Sequence, residues 1–297
     1  MSELDRAVEQ IVSLLESGRP EEASRAALQA RTRFERESEP ARLHGIALLS
    51  SGDFEAAIGA LVDARERAPR SVEVLCNLAS AHLANADVDT AIDILEHARS
   101  LSSDHPGVLN GLGNAHAAAG ALLISRDAYA AATRAAPGYL GAWINLAGAE
   151  IALENAPEAE RILRMILTRT DHPEVRLLLG NALVAQKHPA EAEREFAAGL
   201  RLAPNDARFP YQLGLIADEQ KDIDQASAAF ERALHLEPSM ASALAQLVFV
   251  KRQRCDWNDL DRLSARLREA VATQAEGISP FGFLAEAATP AEQLRCA

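Results

Sequence analysis

A pattern of period 34 runs through most of this chain and constrains its fold more than any other feature, because an element repeating at fixed spacing must pack against copies of itself. Small residues recur at Ala30, Ala64, Ala98 and Ala132, followed by Ile166; one residue is lost before Gly199, and Ala233 restores the interval. A second column reads Ala23, Ala57, Ala91, Ser125, Ala159, Ala192 and Ala226, and a third reads Leu61, Leu95, Tyr129, Leu163, Phe196 and Phe230. A fourth holds Leu78, Leu112, Leu146, Leu179, Leu213 and Leu247, each followed by Ala79, Gly113, Ala147, Gly180, Gly214 or Val248. All columns keep phase.

Two antiparallel helices approach closely only where side chains are small, so Gly or Ala at the crossings with Leu and Phe between them describes a stack of helix pairs. The turn residues agree. Gly18, Gly52 and Gly120 stand where a first helix ends and a left-handed residue is needed, and Pro20 and Pro189 stand in the first turn of a second helix, where a missing N–H is harmless. Pro69, Pro137, Pro204 and Pro238 close their units.

The columns resemble the tetratricopeptide repeat, whose pattern of an aromatic, Leu-Gly, Tyr, Ala, an aromatic and a closing Pro spans about 34 residues. Trp143-x2-Leu146-Ala147, and Leu213-Gly214 followed by Ala226, Phe230, Ala233 and Pro238, are its best instances. The resemblance implies an all-α chain, a right-handed solenoid of seven helix pairs with a C-terminal helical extension. The units lie near 4–37, 38–71, 72–105, 106–139, 140–172, 173–206 and 207–240, with a partial unit over 241–254 completing a repeat region of 1–254; 255–297 forms a junction or capping extension. Unit 140–172 departs most, with one residue fewer, Ile166 at the small column and Asp171 in place of Pro. The first unit, with Gln10-Ile11 in the Leu-Gly columns, reads as a capping repeat.

Beyond Arg254 the repeat stops. Leu260, Leu263, Leu267, Ala270 and Val271 are spaced for one helical face, Asp256 or Asn258 is placed to cap that helix, and Trp257 is expected to bury with the leucines against the last repeat helix. Thr289-Pro290 followed by Gln293 caps a last helix that runs to the end of the sequence given.

This region carries a second resemblance. Lys251-Arg252-Gln253-Arg254-Cys255-Asp256-Trp257, Ser279-Pro280-Phe281 and the closing Gln293-Leu294-Arg295-Cys296-Ala297 look like the junction of O-linked N-acetylglucosaminyltransferases, bacterial ones especially. In that family repeats lead into a two-lobed nucleotide-sugar-binding region. Only 297 − 254 = 43 residues follow Arg254, whereas such a domain needs on the order of 100–150. No catalytic residue or cofactor is therefore assigned, and the resemblance implies either a substrate-selecting arm, a fragment of an active UDP-GlcNAc-dependent transferase, or an independent assembly adaptor.

Charge narrows the partners. With 30 Lys and Arg against 43 Asp and Glu, the net charge of −13 repels nucleic acid and anionic membranes. Neither a secretory leader nor an apolar run long enough to span a bilayer is visible, and Cys76, Cys255 and Cys296 are too scattered for a disulfide framework, so a cytoplasmic location is expected.

Gly111-x-Gly113 lacks the third glycine and the preceding strand of a dinucleotide loop and falls on a crossing column. His82 and His116 share a packing column without a carboxylate or thiolate to complete a ligand set, and Cys255 has no neighbouring base, so neither a metal nor a nucleophile is assigned. The first helices are more informative, since in a tetratricopeptide solenoid they line the inner groove. Two positions before the crossing stand Asn77, Asn145, Gln212 and Gln246, and three further on stand Asn114 and Asn181, with Asn110 one turn before Asn114. Leu43, Gly111 and Leu178 interrupt the first of these columns. A carboxamide both donates to and accepts from a peptide backbone, so this ladder suits an extended polypeptide partner gripped independently of its sequence; O-linked N-acetylglucosaminyltransferases resemble this in carrying an inner asparagine ladder. The alternative is that the amides solvate the groove or join neighbouring repeats. A chaperone-type carboxylate clamp is excluded by Glu174 and Leu178, which stand where cationic residues are required.

Overall fold

Each repeat becomes a helix pair because its polar residues cap helices and its turn closes through left-handed backbone. In the computed structural model, which describes residues 1–273, 275, 277, 278, 283, 286 and 288–296, no strand occurs among the described residues. The chain divides into two compact units, Met1–Asn155 and Ala156–Ala297, and the division falls inside the repeat at 140–172.

The first unit holds α1 (Glu3–Glu16), α2 (Pro20–Arg33), α3 (Ser38–Ser50), α4 (Phe54–Arg67), α5 (Val72–Ala84), α6 (Val88–Leu101), α7 (Pro106–Ala118), α8 (Leu122–Ala135) and α9 (Leu140–Ala152). The second holds α10 (Ala156–Leu167), α11 (Pro173–Ala185), α12 (Pro189–Leu202), α13 (Arg208–Glu219), α14 (Ile223–Leu236), α15 (Ala241–Gln253), α16 (Leu260–Ala272) and α17 (Pro290–Cys296). Within the first unit the first helices of successive pairs also touch one another, α1 on α3, α3 on α5 and α5 on α7.

Asp53, Asp87 and Asp222 cap α4, α6 and α14 by accepting from the amides of Ala56, Thr90 and Gln225, satisfying donors that a helix start leaves open. Proline opens α2, α7, α11 and α12.

The turn inside each pair is the same throughout. Gly18, Gly52, Ala86, Gly120, Glu154, Lys187, Lys221 and Cys255 all have φ between 56° and 83°, and the next amide bonds back to the last helical turn, Asp53 N to Leu48 O and His188 N to Leu183 O among them. This is a Schellman closure. Five of the eight residues are not glycine, and a side chain in this region costs about 1–2 kcal/mol against the entropy that glycine loses on folding, about 0.4–1 kcal/mol. Lys187→Gly and Ala86→Gly are each expected to stabilise their helix pair by roughly 0.5–1 kcal/mol, measured as slower hydrogen exchange in the flanking helices. Unchanged or faster exchange would count against strain at the turn.

The core follows the columns. Ala23, Ala57, Ala91, Ser125, Ala159, Ala192 and Ala226 are completely buried, as are Leu61, Leu163, Phe196 and Phe230. Where the large column is aromatic the crossing residue is glycine: a Cβ on Gly113 would lie 2.4 Å from Tyr129, on Gly180 2.2 Å from Phe196 and on Gly214 2.6 Å from Phe230. Where that column is Leu95 the crossing residue is Ala79. The exception is Gly45, which meets Leu61.

The C-terminal region differs from the sequence expectation in three ways. Leu260, Leu263, Leu267 and Val271 do bury, in one core with Leu244, Leu247, Val248 and Phe283, so α16 is the second helix of an eighth pair with α15. Trp257, however, is 69% exposed. The helix begins only at Leu260, so Trp257 is not on its apolar face. Neither Asp256 nor Asn258 caps α16, since Asp256 is held by Lys251 Nζ at 2.8 Å and by the amide of Asn258 at 3.1 Å and left-handed Asp259 takes the cap position. Finally, Thr289 caps α17 with Glu292 rather than Gln293: the Glu292 carboxylate accepts from the Thr289 amide at 2.7 Å, and the Glu292 amide donates to Thr289 Oγ1 at 3.3 Å. Ser279-Pro280-Phe281 and Ala297 lie outside the described residues.

Candidate functional site

The first-helix amides are brought together at one place. Asn110 and Asn114 lie one turn apart on α7 and Asn145 lies on α9; Asn145 Nδ2 donates to Asn110 Oδ1 at 3.0 Å and to Asn114 Oδ1 at 3.2 Å. Asn114 Oδ1 also accepts from the Tyr129 hydroxyl of α8 at 2.8 Å. Asn110 is 8% exposed while Asn114 stands in solvent, so the cluster runs from the helix packing out to the surface. Burial raises the Tyr129 pKa, which keeps the phenol protonated and donating.

Both acceptor oxygens of Asn110 and Asn114 are thereby occupied, whereas their NH2 groups donate to no protein atom among the described residues. The cluster therefore presents the exposed Asn114 amide as a donor, beside Asn145 Oδ1, which accepts from no protein atom among the described residues. Around it the helix surface is low: Gly148 follows Asn145 by three residues with nothing within 4 Å of where its Cβ would be, and Ala117 and Ala118 complete α7 beyond Asn114.

The other predicted residues stand apart from it. Asn77, on α5, is half-buried, and its amide nitrogen is buried without a hydrogen-bond partner among the described residues. Asn181 on α11, Gln212 on α13 and Gln246 on α15 are half-buried in the second unit. Tyr129 was not singled out from sequence, although a signal existed: it places a hydroxyl in a column otherwise held by Leu and Phe.

The remaining candidates take structural roles. Gly111 and Gly113 lie inside α7, where a Cβ would meet Leu95 at 2.8 Å and Tyr129 at 2.4 Å. His82 Nδ1 sits 3.0 Å from the Asp87 carboxylate at the cap of α6. Burial pushes the Cys76 thiol up to about 11, with Glu73 adding to the effect, so it stays protonated and unreactive at neutral pH. No helix among the described residues is long and apolar enough to cross a membrane.

Comparison with known proteins matches these observations. The family described as tetratricopeptide repeat matches residues 42–106 and 177–243. The helix pairs within these two segments match the tetratricopeptide repeat. Solved structures agree on the fold: a tetratricopeptide repeat protein from Parabacteroides merdae superposes with a TM-score of 0.63 at 14% identity, covering 82% of this chain and 97% of that one. The APC/C hetero-tetramer Cut9–Hcn1 superposes with a TM-score of 0.69 at 14% identity, over 97% of this chain and 54% of that one. Among curated proteins, human protein O-mannosyl-transferase TMTC3 is 30% identical over 125 residues, 41% of this chain and 14% of its own length. The chain thus spans a small part of that relative.

Proposed function

We propose that this tetratricopeptide chain is a protein-recognition scaffold and that its first unit binds an extended polypeptide across Asn110, Asn114 and Asn145. The observation carrying this reading is that the acceptor oxygens of Asn110 and Asn114 are spent within the cluster, which leaves the exposed Asn114 amide free to donate beside the small residues Gly148, Ala117 and Ala118. Such a donor suits the carbonyls of any extended chain. Asn181, Gln212 and Gln246 extend the same role in their own repeats, whereas the buried amide nitrogen of Asn77 lies out of a peptide's reach.

Each amide supplies a net hydrogen bond of about 0.5–1.5 kcal/mol, so single substitutions are expected to weaken a captured peptide only a few-fold. Asn110→Ala, Asn114→Ala and Asn145→Ala together are expected to weaken it at least about tenfold. The test is peptide selection from a random library followed by anisotropy titration against the triple variant, with circular dichroism as the control for folding. Unchanged affinity in a folded triple variant moves binding off this face.

A second reading has its own support. The likeness of Lys251–Trp257 to the glycosyltransferase junction, together with the match to a protein O-mannosyl-transferase, favours a role as the substrate-selecting arm of a protein glycosyltransferase. In that case the chain alone neither binds nor transfers a nucleotide sugar. Titration calorimetry with UDP-N-acetylglucosamine should give no heat, and binding at micromolar concentration would relocate catalysis into these residues.

A further inference from the structure

The apolar face of the first helix is covered along part of its width and open along the rest. Ile11 of α1 is fully buried, in a core with Ala23, Ala27 and Leu43. At the edge of the same face Leu4, Val8 and Val12, one turn apart, are only half-buried; Val8 and Val12 pack in part against that core, and the three line a cavity of about 680 Å³. The rim of this cavity is acidic, with Asp5, Glu9 and Glu16 from α1 and Glu39 from α3. Two of these carboxylates are committed: Asp5 accepts from the Ser2 amide at 2.7 Å, and Glu39 pairs with Arg42 at 2.5 Å. Glu9 and Glu16 have no ion-pair partner among the described residues and stand exposed at either side of Val12.

We propose that this cavity takes a basic, apolar-centred segment of a partner protein, with one aliphatic side chain on Val8 and Val12 and flanking Lys or Arg residues on Glu9 and Glu16. This deepens the scaffold reading above by giving the partner's chemistry at the α1 end of the first-helix row. Complementarity carries it. An apolar floor alone would accept any hydrophobic segment, but every charged side chain lining the cavity is a carboxylate, Asp5, Glu9, Glu16 and Glu39, and the chain carries −13 overall, so an acidic segment is repelled and a basic one steered in. Seven residues of helix separate Glu9 from Glu16 by about 10 Å. An extended segment covers that distance in three residues at about 3.1–3.3 Å each, which sets the spacing of the two cations.

The test uses three labelled synthetic peptides: one with two Lys three residues apart around Leu and Val, one with Glu for each Lys, and one with Ser for the Leu and Val. Anisotropy titration of the full chain is expected to show binding of the first alone, weakening as salt rises. Glu9→Lys with Glu16→Lys is expected to lower that affinity at least about tenfold, and the neutral pair Glu9→Gln with Glu16→Gln to lower it less. Asn110→Ala with Asn114→Ala and Asn145→Ala should leave it unchanged, so failure at this cavity is distinguishable from failure of the asparagine face. Equal binding of the Glu peptide, or no change in the folded charge-reversed variant, overturns the proposal. A concentration-dependent dimer abolished by the same charge reversal would also overturn it, in favour of a second copy of the chain as the occupant.

Discussion

Gly180→Ala is expected to destabilise the second unit by about 1–3 kcal/mol even though alanine is the better helix former by about 1 kcal/mol. The added methyl would sit 2.2 Å from Phe196 Cε1, inside a fully buried ring's contact surface, and neither helix can retreat without breaking its neighbouring crossings. Gly59→Ala supplies the contrast. It lies mid-way along α4 with nothing within 4 Å of the added carbon, so it should gain about 1 kcal/mol. The repeat also predicts the remedy, because the repeat with Leu95 at the aromatic column accommodates Ala79 at the crossing. Phe196→Leu in the Gly180→Ala background should therefore recover at least about 1 kcal/mol relative to the sum of the two single losses. Hydrogen exchange over α11 and α12 is the appropriate readout, since a repeat array need not unfold as one step. Additive single and double effects would show that the contact does not govern the crossing.

Arg252→Met is expected to release the segment that carries Phe283 and Glu286 from α15 and α16. The Glu286 carboxylate is 2% exposed and lies 2.8 Å from Arg252 Nη2, with the Ser264 hydroxyl donating to it at 3.3 Å. Removing one partner of a buried pair leaves a charge that costs about 3–5 kcal/mol to keep buried. The chain can escape that cost by undocking, so the loss should appear as rapid exchange and protease cleavage beyond α16 while α13 and α14 stay protected. Arg252→Met with Glu286→Leu should restore docking, because two apolar residues of similar volume leave no unpaired charge. Continued protection of the segment in the single variant would show that Phe283 holds it without the ion pair.

The helix pairs, their turns and the residues they bury were legible in the sequence because each depends on spacing along one helix. A small residue every 34 positions must fall on the same crossing in every pair, and Ala57, Leu61, Phe196 and Phe230 are buried for that reason. Left-handed turns at Gly18, Gly52 and Gly120 followed from the same register. Asn110, Asn114 and Asn145 were recognisable as polar positions on one helix face, yet their joining into one cluster with Tyr129 depends on side chains from three helices meeting, which spacing does not specify. Trp257 shows the converse: its spacing to Leu260 fits a helical face, but the chain turns at Cys255 and Asp259 before α16 begins, and the ring is left in solvent. Sequence by itself determined the all-α repeat, its register and its core columns, since periodic burial is a property of residue order. Tertiary structure alone decided which amide donors remain free, how Glu286 is neutralised and how much of the apolar face of α1 stays uncovered, because each depends on contacts between residues distant in sequence or on how neighbouring helices pack.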